Sequence, residues 1–405
     1  MKLYNLSKII LIIIFFFLAG LGTCYPENGL PVSIRVLLHS GAVPVKISSP
    51  APFKFIINGK QMKADSAKDY LVQIKNDALI INDPDGKELV KSCSPASVIS
   101  TAGEPLKLNG KRYRGKLQIL AGNGKFLILN TLPLEDYLLG VLPLEFNVKE
   151  AEALKAQAVV ARTYALGKIL KSSKKDYDIT SDPSNQAYGG FDAETLLCSN
   201  AVKETSGQIL TFNGKLADSV CYHSTCGGHT EDNEKVFGTK PISYLRGVDC
   251  RESCKDSRFY TWKITWSRES LEKIINDSLG SQKKIGKLRS IEILEQGSSG
   301  RVSKLLVEGE NGKIVISGDE IRKFLKFPND KGRLQNLYST LFKISLTIDK
   351  GEIIQIEADG GGWGHGVGMC QFGALGMAKK GMDYRQILLY YFNGIKIDDM
   401  AQFVK

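Results

Sequence analysis

The sequence predicts an α+β fold, rich in strands, with one long alanine-rich helix beside a candidate active-site cleft. Three observations predict it. Residues 31–125 break into short alternating apolar stretches between turn signals. The segment "EAEALKAQAVVARTYALGKILK" carries sustained helical periodicity. Residues 270–350 then mix strand and helix patterns without any repeat or low-complexity linker.

The chain opens with "MKLYNLSK", followed by the apolar run "IILIIIFFFLAG" and the small residues before Cys24 and Pro26. That order of basic, apolar and small residues reads as a signal peptide over 1–24, with an uncleaved anchor or a lipoprotein box at Cys24 as alternatives. Export follows, and with it a place in the cell envelope; the membrane is met only through the N-terminus. The formal net charge of +11 would fall by two, Lys2 and Lys8, on cleavage. An exported basic chain suits an anionic partner such as a wall polymer. No lysine-rich tail or nucleic-acid motif accompanies the charge, which disfavours nucleic acid.

Within 31–125, "VSIRVLL", "FKFIING", "YLVQIKN" and "ALIINDPDG" read as strands, with Asn58-Gly59, Asp85-Gly86 and Asn109-Gly110 at turns. This predicts an N-terminal β module, followed by a catalytic-type region over 126–400 with 270–350 inserted into it. In the long helix, Leu154, Ala158, Ala161 and Ala165 fall on or near one face, and the many alanines predict close packing. The tail "QFGALGMAKKGMDYRQILLYYFNG" predicts one or two helices broken near Gly381.

Several side chains could carry chemistry. Glu145 stands between Leu142, Pro143, Leu144 and Phe146. Desolvation there would raise its pKa and suit it to general acid work, against the alternative of a solvated loop residue. Glu135 and Asp136 read as surface residues or caps. Arg162 sits among alanines and should find a carboxylate or an anionic ligand if buried. In "SNQAYGG", Gln186 and Tyr188 offer an amide and an aromatic face suited to a sugar ring.

In "CYHSTCGGHT", Cys221, His223, Cys226 and His229 crowd nine positions, and Cys250 and Cys254 follow in "VDCRESC". Cys221, Cys226, Cys250 and Cys254 have the spacing of a tetrahedral thiolate site for a structural zinc; export makes disulfides an equal alternative. The glycine-dense segment "GGGWGHGVGMCQFG" holds Trp363 and His365, as cleft residues or as buried scaffold. It lacks the Gly-Lys-Ser/Thr end of a phosphate loop and the features of a dinucleotide fingerprint.

Together, "YLLGVLPLEFNVKEAEALKAQAVVARTYAL", "QAYGG", "HSTCGGHT", "YLRGV" and "GWGHGVGMCQFGALGMAKKGMDYRQILLYYFNG" resemble, in order, the SpoIID/LytB family of peptidoglycan-acting proteins. The resemblance runs from about Leu132 to Ile395. It implies a SpoIID-type fold and a lytic transglycosylase that cuts between N-acetylmuramic acid and N-acetylglucosamine in peptide-stripped glycan strands, leaving 1,6-anhydro ends. It needs no cofactor. The family's catalytic glutamate falls on Glu145, although Glu145-Phe146-Asn147 departs from the Glu-Met-Pro of many relatives. Arg162, Gln186, Tyr188, His223, Ser224, Trp363, His365 and Gln371 fall on family motif positions and are carried over as substrate-binding candidates. The alternative implied is a non-catalytic glycan-binding modifier of a cell-wall amidase.

Overall fold

The computed structural model describes residues 32–280 and 284–403; the leader and its alternatives lie outside them. Among the described residues no helix is long and apolar enough to cross a membrane.

The strands of the first hundred residues form two sheets. One has seven strands in the order Ile179–Thr180, Ser33–Gly41, Lys125–Pro133, Lys116–Gly122, Ala96–Ser100, Phe53–Ile57 and Lys60–Ala64; the other has six. Alternation sets which side is wet. In Phe53–Ile57 the residues Phe53, Phe55 and Ile57 are buried while Lys54 and Ile56 are not. The apolar faces share one core with the first helices of the chain.

The boundary expected at 125 runs through a hairpin. Lys116–Gly122 pairs antiparallel with Lys125–Pro133, which pairs in turn with Ser33–Gly41, and Val36 pairs parallel with Ile179. The two expected regions are therefore joined through one sheet, and the described residues form one compact unit.

Helix α1 (Leu134–Glu145) follows directly and leads into α2 (Ala151–Lys171). α2 touches α1, α3 (Leu196–Glu204), α7 (Gln371–Lys379) and α8 (Tyr384–Tyr391). Burial is not confined to the face of Leu154 and Ala158: Ala156, Gln157, Val159, Val160, Arg162 and Thr163 are buried too. A helix enclosed on this many sides needs small residues, which is what its alanines supply. The tail breaks as expected at Gly381, which has φ +88°; Asp383 then opens α8 with a capping box to Gln386.

The short α4 (Asn233–Phe237) precedes the inserted segment. The insertion has its own core, built on two three-stranded sheets, α5 (Arg268–Ser278) and α6 (Glu320–Phe324). It is wider than 270–350. Strand Trp262–Ser267 pairs antiparallel with Glu352–Gly360, and Trp262 lies opposite Gly360. The pairing of the entering and leaving strands closes the insertion at its neck, and the leaving strand runs straight into the glycine segment.

Candidate functional site

Glu145 is the last residue of α1. Phe146 takes an extended conformation and its N–H returns to the Leu142 carbonyl at 2.8 Å, which ends the helix there. The Glu145 carboxyl is half-buried, and its Oε1 accepts the Ala187 N–H at 2.5 Å. Burial raises its pKa above the ordinary glutamate value; the Ala187 N–H and a hydrogen bond with the Tyr222 phenol pull it partly back. These influences include no second carboxylate.

The surrounding donors have one consistent direction. Tyr137 O–H donates to Gln186 Oε1 at 3.2 Å, and Gln186 Nε2 donates to the Tyr222 oxygen at 3.2 Å. That leaves the Tyr222 O–H for Glu145. On the backbone side, Gln371 Nε2 donates to the Glu145 carbonyl at 3.0 Å, fixing the end of α1 to the start of α7. The structure thus brings Glu145, Gln186 and Gln371 together. Gln186 is fully buried and Gln371 nearly so, so both act as supports behind the carboxyl rather than as sugar ligands.

Two further candidates belong to the core. Tyr188 is buried, donates to Asn130 Oδ1 at 2.8 Å, and packs its ring on Tyr137 and Tyr113. Arg162 is fully buried, and its guanidinium meets Glu135 twice at 2.7 Å and also donates to the carbonyls of Gln208 and Val202. Glu135 is thus the counter-ion of a buried arginine, not a surface residue. Four of the five guanidinium N–H donors are taken by a carboxylate and two carbonyls, and full burial keeps the group away from a substrate.

The two histidines brace the glycine segment. Strand Tyr222–His223 pairs parallel with Met369–Cys370. His223 Nδ1 lies 3.1 Å from the Val367 carbonyl and so carries its proton there, while burial holds the ring's pKa well below the usual histidine value. His365 accepts the Val367 N–H on Nδ1 at 3.0 Å and donates from Nε2 to the Tyr222 carbonyl at 3.0 Å. Burial lowers its pKa to about 4. Both rings are neutral near pH 7, and His365 has both nitrogens committed to backbone. Ser224 is half-buried, and its carbonyl accepts the Phe372 N–H at 3.0 Å. Trp363 differs from these. It bridges to Thr225 through backbone but leaves 39% of its surface exposed, with its ring edge-on to Phe259. It is the carried-over candidate that keeps an open aromatic face.

The glycines make this crowding feasible. Gly366 has φ +84°, and a Cβ placed there would lie 2.2 Å from Arg301 Nε. We expect Gly366→Ala to cost about 2–4 kcal/mol, from left-handed backbone strain and overpacking combined. Urea denaturation checks this; a loss below about 0.5 kcal/mol, within the range of ordinary surface substitutions, would contradict the tight packing of the segment on Arg301.

The thiols regroup. Cys226, Cys250, Cys254 and Cys370 converge, all buried, with their sulfurs within 4.8 Å of one another. Cys221 is outside this set: its thiol points to the Val367 carbonyl at 3.5 Å, and burial pushes its pKa up to about 12. Cys370 replaces it because the parallel pairing sets Cys370 beside His223, three residues before Cys226. The seven cysteines among the described residues are all free thiols.

Sequence reasoning missed Tyr222 and Cys370. Each lay inside a quoted motif, Tyr222 next to His223 in "CYHSTC" and Cys370 in "GMCQFG". Strand alternation could have signalled Tyr222, because it must face opposite to His223.

Residues 122–212 match the family model described as Stage II sporulation protein, and residues 240–368 match one described as a domain of unknown function (DUF8618). The chain is 35% identical to an uncharacterized protein of Brachyspira hyodysenteriae, over 72% of this chain and 74% of that one. It is 26% identical to Stage II sporulation protein D of Bacillus subtilis, over 68% and 77% of the two chains. It is also 26% identical to an amidase enhancer of the same organism, over 63% of this chain and 39% of that protein.

Proposed function

The chain belongs to the SpoIID/LytB family, and on that footing we propose that it is an exported lytic transglycosylase acting on peptide-stripped peptidoglycan strands. The observation that carries this reading is Glu145: a half-buried carboxyl with a raised pKa, oriented by the Ala187 N–H and Tyr222, with no second carboxylate among the influences on its proton. An ordinary glycosidase needs two carboxyl groups flanking the bond. A lytic cleavage needs one.

The Ala187 N–H on Oε1 makes that oxygen the acceptor and leaves the acid proton to Oε2. Glu145 gives this proton to the glycosidic oxygen as the bond from C1 of the muramyl sugar breaks. The C6 hydroxyl of the same sugar then closes on C1, and its proton returns to Glu145. Water takes no part, and the acid ends in the state in which it began. The exposed face of Trp363 suits stacking on a sugar ring. The net positive charge suits an anionic wall polymer outside the membrane.

The amidase enhancer among the relatives favours a second reading, in which the chain binds glycan and stimulates a wall amidase without cutting. Incubation with amidase-stripped strands separates the two. New 1,6-anhydro ends detected by mass spectrometry support the lytic reading. Co-sedimentation with the strands and no new ends supports the second.

A pH profile tests the role of Tyr222. Its hydrogen bond lowers the Glu145 pKa, so Tyr222→Phe should raise that pKa further. An acid with a higher pKa stays protonated to higher pH, so the alkaline limb of the cleavage rate should move up in the variant. A downward shift would contradict the assigned contact.

A further inference from the structure

The four convergent thiols come from three separate stretches of chain: Cys226 after the His223 strand, Cys250 and Cys254 on one turn, and Cys370 at the start of α7. Cys226 and Cys254 have their sulfurs 3.5 Å apart. Zinc–sulfur bonds of about 2.3 Å in a tetrahedron set sulfurs about 3.8 Å from one another, so this spacing suits one shared ion. We propose that Cys226, Cys250, Cys254 and Cys370 hold a structural zinc ion that ties the glycine segment to the 250–254 turn.

The surroundings fit the charge such a site would carry. Four thiols binding one Zn²⁺ release four protons and leave two net negative charges. Cys370 Sγ receives the N–H groups of Cys226 at 3.2 Å and Gly373 at 3.3 Å, and the Tyr391 hydroxyl lies 2.9 Å from Cys250 Sγ. The buried Arg301 guanidinium donates to the Cys226 carbonyl at 2.6 Å and interacts electrostatically with Cys226, Cys370 and Cys254 as well as Glu231. Buried cations need counter-charge, and a tetrathiolate would supply it. Four protein ligands in a buried setting leave no open position, which marks a structural ion rather than a catalytic one.

The thiol site is separate from the Glu145 site, although the two touch through the chain. Cys370 immediately precedes Gln371, the residue whose amide holds the Glu145 carbonyl. An ion at Cys370 would therefore anchor the support of the acid without meeting substrate.

The test is zinc content, measured by native and elemental mass spectrometry on the full chain purified under reducing conditions. One zinc per chain is expected, retained in Cys221→Ser and in Glu145→Gln and lost in Cys370→Ser. Chelation should lower the melting temperature and zinc alone should restore it. A mass four hydrogens below that of the reduced chain, from two disulfides, would overturn the proposal. So would iron in place of zinc, or a Cys221→Ser chain that loses the metal while Cys370→Ser keeps it. Zinc-replete Glu145→Gln keeps this question separate from catalysis.

Discussion

Glu145→Gln should lower the rate of 1,6-anhydro end formation by at least about 10²–10⁴-fold, the span that a positioned general acid contributes. The amide keeps the side chain's volume, and its oxygen can still accept the Ala187 N–H that now meets Oε1. It has no proton of suitable acidity for the leaving oxygen. The variant should therefore fold as the wild type does, bind the strands, and not cut them. Circular dichroism and a melting curve establish the first point, co-sedimentation the second and product analysis the third. A variant that retains more than about a tenth of the wild-type rate, well short of a general acid's contribution, would remove Glu145 from the acid role.

The largest expected effect on stability lies at Arg162. Arg162→Met leaves Glu135, only 15% exposed at its side chain, without its counter-ion, and frees two carbonyls that the guanidinium now holds. Breaking a buried ion pair from one side costs about 3–5 kcal/mol. The double replacement Arg162→Met with Glu135→Leu removes both charges and should recover a large part of that loss, though not the part due to the Gln208 and Val202 carbonyls. Urea denaturation of the two variants measures it. A single variant within about 1 kcal/mol of wild type, the range of an exposed pair, would mean that the pair is solvated after all.

Arg162 marks a limit of what local sequence encodes. The sequence called for a partner only if the residue was buried; that partner lies on a separate helix, and nothing local distinguishes a protein carboxylate from a ligand's. Gln186 and Tyr188 failed for a related reason. A turn flanked by glycines has the same composition whether its side chains point outward to a sugar or inward to Tyr137 and Asn130. At Glu145 the desolvation expected from the apolar neighbours is present, but the groups that meet the carboxyl, the Ala187 N–H and Tyr222, come from distant segments that the local sequence does not name. The strands before residue 125, the alanine-rich helix and the break at Gly381 were legible, each from periodicity or a local turn signal.

Long-range pairing was not. The insertion's true edges depend on Trp262 meeting Gly360, and the fourth thiol on His223 meeting Cys370. Both are registers between distant segments, which no local pattern encodes. The all-round burial of α2 escaped notice for the opposite reason. Gln157 and Thr163 are polar, yet both are fully buried, where Gln157 Oε1 accepts from Gln371 and the Thr163 hydroxyl donates to the Val159 carbonyl.

Digestion of peptide-free glycan strands in ¹⁸O-labelled water tests the central claim most directly. Intramolecular closure by the C6 hydroxyl predicts new muramyl ends that are anhydro and carry no ¹⁸O. Reducing ends carrying ¹⁸O would show that water is the nucleophile, and would contradict a lytic mechanism with Glu145 as the lone acid and base.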